Sequence, residues 1–95
     1  MYYRGYVLIR LKAIGTEWQV VNKLTGLKST SSEEDWKISY VTPVYGGWDI
    51  MVECSFNKLH DLDKIISYIQ MDEDLANWIE ETTSLASSKA DYPEF

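Results

Sequence analysis

The chain has 95 residues, a formal net charge of −6, 45% hydrophobic residues and 14% aromatics. It is long enough for one domain with a modest core, too apolar for a disordered acidic tail, and too acidic for a phosphate-binding stripe, so direct nucleic-acid binding is not expected. A lone cysteine, Cys54, rules out an internal disulfide or a cysteine-based metal site, and no apolar run approaches the roughly 20 residues that span a bilayer.

In chain order, Tyr6 to Lys12 alternates, with Val7, Ile9 and Leu11 on one side, and predicts a strand. Gly15-Thr16 opens a helix, with Thr16 as its expected N-cap and Val20, Val21 and Leu24 as its apolar stripe; Gly26 is the expected stop. Lys28 to Asp35 contains no apolar residue and reads as an exposed, mobile loop. Trp36 to Tyr45 predicts a second strand in which Trp36, Ile38, Tyr40 and Thr42 share a face. Pro43, which lacks an N–H, places that strand at an edge or a bulge. Gly46-Gly47 predicts a two-residue hairpin turn. In the returning strand Trp48, Ile50, Val52, Cys54 and Phe56 share one face. Asn57 is the expected cap of a second helix with Leu59, Leu62, Ile65, Ile66 and Ile69 at helical spacing, fraying around Gln70 to Asp74. Trp78 to Ala86 predicts a last strand, and residues 88–95 an irregular tail.

The order β-α-β-β-α-β predicts an α+β, ferredoxin-like sandwich: one antiparallel four-stranded sheet with two helices on one face. A single domain is expected over 1–95, with its core at 5–87. The other sheet face would carry Leu8, Val41 and Met51, or the set of opposite parity. Apolar residues on both faces predict that the open face packs on something, most simply a second copy.

The charge is uneven. Residues 1–57 carry six basic and six acidic side chains, whereas residues 58–95 carry three basic against nine acidic. The acidic excess reads as a solvated helix face. The N-terminus lacks the pattern of a signal peptide, which makes the cytoplasm the expected location.

Val44-Tyr45-Gly46-Gly47-Trp48-Asp49-Ile50-Met51-Val52 resembles the central hairpin of the effector-binding (RAM) domains of the Lrp/AsnC, or feast/famine, transcription regulators. Tyr6-Val7-Leu8-Ile9 is similar to that family's first strand, Leu59-Asp61-Leu62-Ile65 to its second helix, and Ile79 to Leu85 to its last strand. The resemblance covers residues 5–87. The predicted first strand begins near Met1, so the family's N-terminal helix-turn-helix is expected to be absent, as in stand-alone members. Lys28 to Asp35 lengthens one connection relative to the family. The resemblance implies dimers packed sheet to sheet, tetramers of dimers, and a small effector, such as an amino acid, bound between dimers. It also implies full-length regulators of the family as possible partners. The positions it implies for the ligand site are Tyr45, Gly46, Gly47, Trp48, Asp49, Thr82 and Ser84.

Each of these residues also has a plainer reading. Gly46 and Gly47 serve turn chemistry, though bare N–H groups also bind a carboxylate. Asp49 either caps the hairpin backbone or accepts from a ligand ammonium. Tyr45 and Trp48 suit packing or an interface; Thr82 and Ser84 suit an ordinary strand. His60, with no second histidine and no cysteine near it in sequence, is a poor metal ligand. No nucleophile–base–orienter set is visible, so neither catalysis nor a cofactor is expected. The alternatives are a small dimeric ferredoxin-like enzyme using His60, Arg4 or Arg10, a purely structural oligomerisation partner, and an amino-acid-binding ACT-type domain.

Overall fold

A computed structural model describes residues 2–87; the expected irregular tail, 88–95, lies outside the described residues. The elements are β1 (Tyr3–Leu11), α1 (Glu17–Leu24), β2 (Trp36–Pro43), β3 (Ile50–Phe56), α2 (Asp61–Met71), α3 (Glu73–Trp78) and β4 (Ile79–Ala86). The strands form one sheet in the order β2-β3-β1-β4, with every neighbouring pair antiparallel. This is the ferredoxin-like α+β arrangement, with one helix more than the sequence pattern predicts. No helix among the described residues is long and apolar enough to cross a membrane.

Alternation sorts the strands between the two faces. Val7, Ile9 and Leu11 of β1 and Ile50, Val52, Cys54 and Phe56 of β3 are buried under the helices. From the helix layer, Val20, Val21 and Leu24 of α1, Leu62, Ile65 and Ile69 of α2, and Leu75 of α3 complete the core. Gly5 belongs to this face for a steric reason. A Cβ there would sit 2.6 Å from Cε1 of Phe56, a fully buried ring stacked on Tyr3. Burial also pushes the Cys54 thiol up to about 12.

The register leaves Arg4, Tyr6, Leu8 and Arg10 of β1, Met51, Glu53 and Ser55 of β3, and Glu81, Thr83 and Leu85 of β4 on the other face. Leu8 and Met51 lie on the open face as expected, and Val41 does not. The β2–β3 register shifts between Ile38 and Tyr40, so Ser39 is an extra residue. Its hydroxyl donates to Glu53 O at 3.1 Å. Beyond this bulge the parity of β2 reverses: Val41 is buried and Tyr40 is 55% exposed. Strict alternation had put Tyr40 with Trp36 and Ile38.

Other local expectations need correction. The Thr16 hydroxyl donates back to Ala13 O and makes no cap bond to α1. Gly26, at φ 82°, does follow the end of α1. Asn57 does not cap α2, which starts after His60; the buried Asp61 instead accepts the Lys58 N–H at 3.3 Å. The segment around Gln70 to Asp74 is a break between helices. Asp72 takes extended backbone and its Oδ1 accepts the N–H groups of Asp74 and Leu75 at 3.0 and 3.1 Å, restarting the chain as α3. The polar loop after α1 is tied to the edge of β2: Ser29 N donates to Trp36 O and Ile38 N to Leu27 O.

Candidate functional site

The loop between β2 and β3 is longer than a two-residue turn. Val44 N donates to Asp49 O at 2.9 Å, which closes the hairpin around Tyr45-Gly46-Gly47-Trp48. Gly46, at φ 137°, is the loop residue that needs glycine's freedom; Gly47 has no positive φ. The expected turn therefore gives way to a four-residue loop. Bonds to β1 hold its C-terminal half.

Asp49 makes two of these bonds. Its N–H donates to Ile9 O at 2.9 Å, and its Oδ2 accepts the Leu11 N–H at 2.8 Å. It thus continues the β1–β3 pairing past Ile50 with a side chain. The plainer reading of Asp49, backbone capping, describes this oxygen. The carboxylate also borders a hollow of about 100 Å³ with Leu11, Ala13, Ile14 and Glu17.

Arg10 holds the tip. Its Nε and one terminal nitrogen donate to Gly47 O at 3.2 and 2.9 Å. The guanidinium lies 4.6 Å from the centre of the Trp48 ring, and its other terminal nitrogen pairs with Glu81 of β4. Trp48 therefore packs with an open-face residue and does not join Ile50 on the helix side. A guanidinium fork satisfies this set as no ammonium would. Sequence reasoning had Arg10 only among the candidates of the enzymatic alternative. Its place in the open-face parity of β1, next to the Leu11 that Asp49 binds, was the available signal.

The seven expected ligand positions do not converge within one chain. Tyr45, Gly46 and Gly47 project into solvent, with Tyr45 106% exposed. Thr82 is opposite Ile9, and Ser84 is opposite Val7, so β1 separates both from the loop. Thr82 lines a hollow of about 190 Å³ with Ile69, Ala76 and Ile79. Ser84 lies two residues farther along the exposed edge. Ile14, which borders the hollow beside Asp49, is fully exposed, and Trp18 of α1 is 64% exposed. His60 faces solvent, 3.9 Å from Asp61, and no group of three metal-ligating side chains forms among the described residues.

No family model matches the chain, and no curated protein matches it. Solved structures do. A hypothetical protein, PHS023, from Pyrococcus horikoshii is 22% identical with a TM-score of 0.66, over 98% of each chain. A protein named FFRP-DM1 is 24% identical with a TM-score of 0.63, over 90% of this chain and 97% of that one. PH0061 is 17% identical with a TM-score of 0.67; the match covers 94% of this chain and 53% of that longer one. At these identities the likeness establishes the fold.

Proposed function

We propose that this chain is a non-catalytic regulatory module of the Lrp/AsnC type. It assembles with itself through the open sheet face and binds a small metabolite, such as an amino acid, where hairpin ends of neighbouring dimers meet. Full-length regulators of the family are the partners that would carry its signal to DNA. The observation that carries the reading is the anchored hairpin: Arg10 and Asp49 fix the C-terminal half of a loop whose tip, Tyr45-Gly46-Gly47, stays exposed. A fixed loop with bare backbone N–H groups suits recognition, because little ordering entropy remains to be lost on binding. The likeness to FFRP-DM1, whose name carries the feast/famine abbreviation, supports the same assignment. Support for self-assembly comes from the open face, where Tyr6, Leu8, Met51 and Leu85 lie between the ion pairs Arg4–Glu53 and Arg10–Glu81.

Within one chain, Thr82 and Ser84 are too remote from the loop to complete a site with it. A second dimer would supply the missing wall. Asp49 Oδ1 accepts no hydrogen bond among the described residues, which leaves it for a ligand ammonium. Light scattering tests assembly, and a melting screen with the twenty amino acids at millimolar concentration tests the ligand. A ligand at 100 times its Kd stabilises by about 2.7 kcal/mol. The expected result is an oligomer whose melting temperature rises with one class of amino acid. A monomer in solution would overturn the assembly, and no shift with any amino acid would overturn the ligand class.

A further inference from the structure

The opposite end of the open sheet face carries a row of side chains in register. Lys28 is opposite Lys37 across an isolated bridge, Lys37 is opposite Ser55, and Ser55 is opposite Arg4. Directly opposed residues on antiparallel neighbours share a face, with Cβ atoms about 5 Å apart, and like charges there are destabilising. Arg4 lies 3.3 Å from Glu53. Lys28 and Lys37 make no ion pair among the described residues. The nearby acids have other partners. Glu34 accepts Trp36 Nε1 at 3.1 Å and lies 3.8 Å from Lys64, and Asp35 accepts the Tyr2 phenol at 2.8 Å. The register thus places two lysines directly opposite each other, and neither pairs with an acidic side chain among the described residues.

Beside this pair is a hollow of about 470 Å³, lined by Tyr2, Lys28, Asp35, Trp36, Lys37 and Ser55. That size falls within the range of small-molecule sites. Its charged lining, two lysines and one aspartate, sums to one positive charge. Ser55 is 6% exposed and adds a hydroxyl. The site is remote from the hairpin: Ser55 lies five residues along β3 from Ile50, about 17 Å at the usual strand rise.

We propose that this hollow binds a small organic anion, a carboxylate or phosphate group carried on an apolar body. Lys28 and Lys37 share the anionic group, the Ser55 hydroxyl donates to it, and Tyr2 and Trp36 flank the apolar part. An anion bound between them offsets the repulsion between the two lysines, so the ligand stabilises the fold in proportion to its occupancy. The assignment stands apart from the hairpin reading and uses none of its residues.

The test is an NMR titration of the amide signals of the purified protein with phenyl phosphate, phenylacetate and neutral benzyl alcohol. Saturable shifts at residues 28, 37 and 55 with phenyl phosphate or phenylacetate, but not with benzyl alcohol, are expected; which anion binds assigns the class. The double variant Lys28→Gln, Lys37→Gln should bind at least roughly tenfold more weakly, while Asp49→Asn binds as the parent does. Silence from both anions up to about 10 mM, equal binding by the double variant, or equal binding of benzyl alcohol would overturn the proposal. A second readout needs no ligand. In low-salt buffer free of such anions, Lys37→Gln should melt higher than the parent, and a lower melting temperature would count against the repulsive pair.

Discussion

Asp49 accepts the backbone N–H of Leu11 at 2.8 Å across 38 residues of sequence. This bond, with the one from Asp49 N–H to Ile9 O, makes the end of β1 and the base of the hairpin a single unit. Asp49→Ala should leave the part-buried Leu11 N–H without its acceptor and cost about 1–3 kcal/mol in urea unfolding. Asp49→Asn keeps an acceptor oxygen and should cost less. Equal losses in the two variants would mean that charge, not the hydrogen bond, is what Leu11 needs.

Arg10 and Glu81 are both close to half-exposed, so their ion pair contributes little by itself. Glu81→Gln should therefore change unfolding free energy by less than about 1 kcal/mol. Arg10→Ala also removes the Gly47 bonds and the contact with Trp48, and should cost more, about 1–2 kcal/mol. Arg10→Lys should recover only part of that loss, because an ammonium cannot bridge Gly47 O and Glu81 while lying flat on the indole. Chemical denaturation of the three variants gives the comparison.

Cys54 is fully buried between Gly5 and Ile38 in register, and its thiol is pushed up to about 12 by burial, with Glu53 adding to the shift. At pH 8 the native protein should resist alkylation by iodoacetamide, since the thiolate is the reactive form. Reaction should reach completion once denaturant is added. Rapid labelling of the native protein would mean that the core opens locally at β3.

Asp72 gives a pH signature. The Leu75 N–H and then the charge of Lys23 hold its carboxyl below the ordinary 3.8, against the effect of burial. A folded-state value below the unfolded one means that the contribution is complete above the unfolded value and is lost as pH falls through the folded one. Melting temperature followed from neutral pH down to about pH 2 should fall more steeply for the parent than for Asp72→Ala. At neutral pH the same substitution removes the α3 cap and should cost about 1 kcal/mol.

Much of this fold was legible because β1, β3 and the apolar stripes of α1 and α2 obey simple periodicities. The departures came from residues whose effect is not periodic. Ser39 inserts one position into β2, which no alternation pattern reveals. Asp72 ends one helix by starting another, and its cap signal is masked by the acidic residues around it. Gly46-Gly47 signals a tight turn, yet the loop has four residues and its C-terminal half is held by Asp49 and Arg10, contacts that exist only after the sheet has formed. For the same reason the candidate site was half visible. The loop residues could be read from the chain, whereas Arg10 acquires its role through the register.

The Ser39 bulge makes strand length a separate hereditary variable. With Ser39 present, Ile38 and Val41 point into the core and Tyr40 and Thr42 point out; with Ser39 deleted, plain alternation yields the same division. Any single insertion or deletion between Ile38 and Val41 has the same result, whereas one beyond Val41 would flip the residues that follow it. The character of the surface that β2 offers to other molecules is thus protected against a change of length at the bulge and exposed to one beyond it. Evolution or a designer could straighten this edge without rewriting it.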